Sequence, residues 1–133
     1  MFVLSNRSID RLTGVHADLC AVVRRAIQIT PIDFCVTEGL RTIERQEKLF
    51  ASGASQTMKS RHLTGYAVDL AAMIDFDGDG KPEVRWDWGL YEKLAVAMKA
   101  AAAELKVKIV WGGDWKTLRD GPHFELDREA YPA

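Results

Sequence analysis

Apolar residues at Val15, Leu19, Val22, Val23, Ala26 and Ile29 recur every three to four positions, with Arg24, Arg25 and Gln28 between them. That spacing predicts an amphipathic helix over 15–29. Ahead of it, Ser8 is the expected cap of a short helical turn, and Gly14 the break. Thr30-Pro31 stops the helix, because proline bars helical geometry at the residue before it. Residues 32–37 (IDFCVT) then read as a strand. A turn comes next, at 38–41. Thr42 is the expected N-cap of a helix through Phe50 that closes at Ser52-Gly53, although Arg45 stands where a capping box would place Glu.

The second half has a different texture. Residues 54–61 (ASQTMKSR) are polar and without period, as in a surface loop, and 66–71 (YAVDLA) read as a strand. An acidic turn occupies 75–80. Leu90, Leu94, Ala97, Met98, Ala101 and Leu105 mark a long helix over about 87–105, reinforced by the alanine run 100–103. Strands are predicted at 108–111, ending on Gly112-Gly113, and at 122–126. Helices and short strands in this order, without a regular βαβ crossover or a repeat, predict an α+β fold with a small, mostly antiparallel sheet flanked by helices. No interior stretch reads as a linker, so residues 1–133 are expected to form a single domain.

Composition narrows the function classes. A chain of 133 residues is large enough for one core without disulfide staples. With 47% hydrophobic and 28% charged residues it is neither disordered nor fibrous. Eighteen basic against nineteen acidic side chains leave a net charge of −1, so nothing draws the protein toward nucleic acid or an anionic membrane, and neither is expected as a partner. Cys20 and Cys35 sit among apolar neighbours and read as buried free thiols. The N-terminus lacks the basic-then-apolar pattern of a signal peptide, and no stretch approaches the ~18 apolar residues of a membrane span. A soluble, monomeric, cytoplasmic product is expected.

Candidate chemistry centres on two of the three histidines. His16 lies beside Asp18 in the first long helix and reads as structural. His62 stands in Ser60-Arg61-His62-Leu63-Thr64-Gly65-Tyr66-Ala67-Val68-Asp69, and His123 in Asp120-Gly121-Pro122-His123-Phe124-Glu125-Leu126. Catalytic zinc needs three His or carboxylate ligands and one open position. His62, Asp69 and His123 are the set that a hairpin-like approach could bring together. Two neutral imidazoles and one carboxylate would leave such a site at net +1, which favours an acidic bound water. Asp120 and Glu125 are the candidate general bases. Spacing alone leaves a second reading open, in which both histidines are satisfied polar residues and Asp69 caps a turn or pairs with an arginine.

The pattern S-x-H-x-x-G-x-A-x-D, as Ser60, His62, Gly65, Ala67 and Asp69, followed by D-x-P-H-F-E from Asp120, resembles one group of zinc cell-wall peptidases. This is the D,D-carboxypeptidase and L-alanyl-D-glutamate endopeptidase family, which includes VanY-like vancomycin-resistance carboxypeptidases and many bacteriophage endolysins. Trp111-Gly112-Gly113-Asp114-Trp115-Lys116 and Glu38-Gly39-Leu40-Arg41 resemble the endopeptidase branch. The resemblance spans about 32–126. It implies a hedgehog/D,D-peptidase-like fold, zinc ligands His62, Asp69 and His123, and Asp120 as the catalytic carboxylate where many carboxypeptidases carry Glu. It also implies Arg41 as the arginine near the scissile carbonyl, and a peptidoglycan stem peptide as substrate; on the residues alone Arg41 reads equally as a helix-start arginine paired with Glu44 or Glu38. An endolysin made without a signal peptide and acting on the wall after release fits that branch; a D,D-carboxypeptidase is the enzymatic alternative, and a non-catalytic wall-binding module the alternative of another class.

Other residues have readings beside this set. Gly65 and Ala67 would leave room for peptide backbone near the metal. Ser60 is expected either to touch substrate or to stabilise a turn, and Trp111 and Trp115 to wall a cleft for the stem peptide. Asp75-x-Asp77-x-Asp79-Gly80, with Glu83 at the ninth position, matches the first half of a calcium loop. Trp86 stands where a bidentate Glu belongs, so a simple Asp/Gly turn explains the same letters.

Overall fold

The computed structural model describes residues 1–55 and 60–132. Two helices open the chain, α1 (Asn6–Arg11) and α2 (Ala17–Ile29). Strand β1 (Asp33–Glu38), helix α3 (Ile43–Ala51), a 3-10 turn (Arg61–Thr64) and strand β2 (Ala67–Ile74) come next. The remainder is β3 (Glu83–Arg85), α4 (Trp88–Leu105), β4 (Ile109–Trp111), a second 3-10 turn (Gly112–Asp114) and β5 (His123–Leu126).

The fold is α+β, and β2 organises the sheet. It pairs with β1 along one edge; along the other it pairs with β5 through Ala67–Asp69 and with β3 through Ala72–Ile74. β4 adds outside β5, and every one of these pairings is antiparallel. Alternation along the strands separates two faces. Phe34, Val36, Val68, Leu70, Ala72, Phe124 and Leu126 form the core face, and Leu19, Val22 and Val23 of α2 with Leu94, Met98 and Ala101 of α4 join them in one buried cluster. Asp69, His123 and Glu125 occupy the opposite face. One apolar period thus buries the sheet and presents its polar residues on the other side.

The predicted elements are present with shifted ends. α2 begins at Ala17, because His16 is its N-cap and accepts the amide of Asp18 at Nδ1 (3.0 Å). Its ring meets Tyr66 and Tyr131 edge-on, which confirms a structural role. Ser5, not Ser8, caps α1; Ser8 is buried inside that helix and accepts the amide of Val36 at 2.9 Å. Thr42 caps α3 as expected, through the amide of Arg45. The 54–61 loop expectation falls partly on 56–59, outside the described residues; its end instead begins the 3-10 turn. β3 lies outside the predicted set, and β2 runs three residues further than expected to meet it. Both cysteines are free, but half-buried rather than buried.

Candidate active site

Asp69 and His123 are direct cross-strand partners in β2 and β5, so their side chains leave the sheet together on the same face. His62 reaches them from the 3-10 turn. That turn is capped by Ser60, whose hydroxyl accepts the His62 amide, and it ends on Gly65 in the left-handed region at φ 76°. A Cβ at Gly65 would strike the carbonyl oxygen of Gly14, so this glycine serves chain packing and the left-handed turn. The expected room for substrate is not its reason. Arg41 N donates to the His62 carbonyl (2.8 Å), which fastens the turn to the segment leaving β1.

The three side chains converge. His62 Nε2 lies 3.2 Å and His123 Nδ1 3.3 Å from Asp69 Oδ1. Their other ring nitrogens are committed elsewhere: His62 Nδ1 is 2.8 Å from the Gly39 carbonyl, and His123 Nε2 is 2.9 Å from Glu125 Oε1. A carbonyl and a carboxylate only accept, so both outer nitrogens carry the proton. The inner nitrogens of the neutral rings therefore aim lone pairs at a carboxylate oxygen. Only a cation or an added proton reconciles three such acceptors.

Protonation shows the same logic. Burial alone would lower the His123 pKa, yet its hydrogen bonds to Asp69 and Glu125 outweigh this and push it up to about 9. Burial works against the charge of Asp69, but hydrogen bonds from His123 and His62 hold its carboxyl far below the usual carboxylate range. Glu125 is likewise kept ionised against burial, by His123 and then Arg128. With its inner nitrogens freed of protons, this donor set fits a divalent ion of the zinc class: two imidazoles, one carboxylate, and ligand atoms within 4.8 Å of one another. The outer bonds to Gly39 and Glu125 fix each ring's tautomer.

A cleft of about 720 Å³ opens over this group, lined among others by Arg41, Ser60, Trp115, Arg119 and Asp120. Asp120 stands on the loop between β4 and β5, where its amide closes on the Gly112 carbonyl at 3.0 Å. A side chain at Gly112 would collide with the Asp120 carbonyl, so glycine sets this close approach. Burial, then the charge of Asp69, raise the Asp120 pKa. Arg41 is held by both oxygens of Glu38 (2.7 and 2.8 Å) and by Gln46 Oε1 (2.6 Å), with Nη2 3.9 Å from Asp69 Oδ2. A register shift between Val36 and Glu38 sets Glu38 opposite Asp69.

Not every expected residue arrives. Trp115 does, with its ring 5.1 Å from that of His123. Trp111 does not line the cleft: it is buried against Trp88 and Phe124, and its Nε1 donates to the Gly121 carbonyl at 2.7 Å. A β-strand aromatic on the core face has no route to the other side. Glu125 is taken up by His123 and Arg128, and so supports a ligand rather than standing as a free base. Ser60 lines the cleft, but its oxygen is engaged by the turn it caps. Asp75, Asp77 and Asp79 come together, exposed, while Glu83 belongs to β3. Their oxygens accept the loop's own amides from Asp79, Gly80 and Lys81. The pairing of Arg41 with Glu38, one of the two partners that the sequence offered, is the one observed. Reading the sequence alone missed Gln46, the Gly39 carbonyl and Arg119.

The sequence model of the phage L-alanyl-D-glutamate peptidases matches residues 1–132. The chain is similar to the L-alanyl-D-glutamate peptidase of Escherichia phage T5, 34% identical, with 98% of this chain and 93% of that protein covered. It is 36% identical to the L-alanyl-D-glutamate peptidase of Listeria phage A118, covering 95% of this chain and 43% of that longer protein. Among solved structures it resembles the L-Ala D-Glu endopeptidase ChiX of Serratia marcescens. That match has a TM-score of 0.88 and 46% identity over 98% of this chain and 95% of the other. The chain belongs to the phage L-alanyl-D-glutamate peptidase family.

Proposed function

We propose that this chain is a zinc endopeptidase that hydrolyses the L-alanyl–D-glutamate bond of peptidoglycan stem peptides, acting on the cell wall as an endolysin of phage type. The observation that carries the proposal is the convergence of His62, Asp69 and His123 under an open cleft, with both outer ring nitrogens anchored. These three residues would hold the ion. Zinc at such a site supplies Lewis acidity, making a bound water more acidic and polarising the substrate carbonyl.

The chain's own residues do the rest. Asp120 accepts a proton from the attacking water and passes it to the leaving amine of the D-glutamyl residue. Asp120 lines the cleft over the candidate ligands, on the loop that closes onto the Gly112 carbonyl. Arg41 is clamped by Glu38 and Gln46, so its charge is fixed before substrate arrives. It stabilises the negative charge that develops on the carbonyl oxygen. Trp115 offers an aromatic wall beside His123 for the peptide.

Mass spectrometry of digested peptidoglycan tests the bond. A new D-glutamyl amino terminus is expected, whereas release of free D-alanine would show a D,D-carboxypeptidase instead. Metal analysis of the purified protein tests the ion, with one zinc per chain expected. Stoichiometric zinc in a His62→Ala, Asp69→Ala, His123→Ala triple variant would overturn the assignment.

A further inference from the structure

Four arginines line the cleft, and three already have their charge paired or terminal nitrogens engaged. Arg41 is held by Glu38 and Gln46. Arg61 is buried and gives Nη2 to the carbonyls of Leu126 and Tyr131. Arg128 reaches Glu125. Arg119 differs. Its guanidinium lies 4.4 Å over the ring of Trp88, and its Nε donates to the Gly113 carbonyl at 2.8 Å. No carboxylate of the described residues lies within ion-pair distance of it. The side chain is therefore fixed at its inner end while its two terminal nitrogens keep their donors, the geometry that a guanidinium uses to take a carboxylate in a bidentate pair.

Its place in the chain gives the fork a direction. Arg119 adjoins Asp120, and both line the same cleft. Leu118 holds φ 51°, a left-handed conformation unusual for a side-chain-bearing residue, and so turns the chain sharply just ahead of Arg119. If Asp120 delivers the proton to the leaving amine, the leaving residue lies beside Arg119. That residue is a D-glutamate with two carboxyl groups. Whichever carries the peptide onward, the other is a free carboxylate a few bonds from the scissile nitrogen.

We infer that Arg119, preset by Trp88 and the Gly113 carbonyl, receives the free carboxylate of the residue on the leaving side of the scissile bond and so sets the preference for D-glutamate there. The inference rests on the proposed L-alanyl–D-glutamate cleavage. It makes Arg119 a specificity residue, separate from the proton chemistry of Asp120 and the charge of Arg41.

The test uses two N-acylated L-alanyl–D-glutamyl stem peptides, identical except that one has its free D-glutamyl carboxyl converted to the carboxamide. The wild-type protein should favour the carboxylate peptide in kcat/KM by roughly ten- to a hundredfold, the range for a hydrogen bond to a charged group. Arg119→Ala should bring that ratio close to one by slowing the carboxylate peptide alone, at unchanged zinc content. Arg119→Lys, which keeps the charge but not the fork, should retain part of the preference. A wild-type protein indifferent to the amide would overturn the inference, as would an Arg119→Ala variant that slows both peptides equally. Cleavage of neither peptide by the wild type would remove the bond assignment and this inference together; cleavage of both with an unaltered ratio in Arg119→Ala removes the inference alone.

Discussion

At the residue scale, the two acidic side chains flanking His123 have different fates, and their substitutions should separate. Asp120 faces the cleft with its proton affinity raised, whereas Glu125 is spent on the His123 ring. Asp120→Asn should keep fold and zinc but lose turnover by about 10²–10⁴-fold, the usual contribution of a general base. Glu125→Gln should instead weaken zinc binding by roughly 10–100-fold, as loss of an outer ligand partner does, with turnover largely restored at saturating zinc. Zinc titration followed by steady-state kinetics reads both. Loss of zinc from Asp120→Asn would make that residue a ligand. His62, Asp69 and His123 were legible as one candidate set because residue type and spacing restrict a metal site, although spacing alone fitted two satisfied histidines as well and the resemblance was needed to prefer the metal. The clamp on Arg41 was legible only as a choice between Glu38 and Glu44, because a bulge in β1 brings Glu38 opposite Asp69, and no letter in the sequence marks a bulge.

At the element scale, strands with an apolar core face announce themselves, while short exposed ones do not. β3 consists of Glu83, Val84 and Arg85, with no apolar period to detect. It exists because β2 runs on to Ile74, up to the acidic turn, and offers an edge to the returning chain, where Tyr91 accepts the Ala72 amide and donates to the Arg85 carbonyl. The two tryptophans of 111–115 show the same dependence on face. They are equivalent as letters, yet Trp111 belongs to the core side of β4 and Trp115 leaves the 3-10 turn into the cleft. Trp111→Phe should therefore cost about 1–2 kcal/mol of stability, from one buried indole hydrogen bond and some packing, with kcat/KM nearly unchanged. Trp115→Ala should leave the melting temperature close to wild type and raise KM. Paired thermal melts and kinetics on the two variants decide this, and a reversed pattern would place Trp111 in the cleft.

Across the whole molecule, the division of the sheet into two faces separates what folds the protein from what makes it work. The cluster of α2, α4 and the core face of β1, β2 and β5 contains none of the three candidate ligands, and Phe124 and Leu126 lie within it while His123 and Glu125 alternate out of it. Folding therefore does not wait on a metal, unlike small domains whose core is the metal site. Chelation should abolish activity and leave the far-ultraviolet circular dichroism at 25 °C unchanged. It should nevertheless lower the melting temperature, because an ion bound only by the native state adds RT ln(1 + [L]/Kd), about 4 kcal/mol at a thousandfold excess over Kd. The chelated protein also keeps Asp69 facing two histidines, with a proton on His123 taking the reconciling place of the ion. Adding zinc back should restore both activity and melting temperature. A melting temperature indifferent to chelation in protein shown to have lost its zinc would mean that the ion does not bind the folded site, whereas collapse of the circular dichroism signal would mean that the core depends on it.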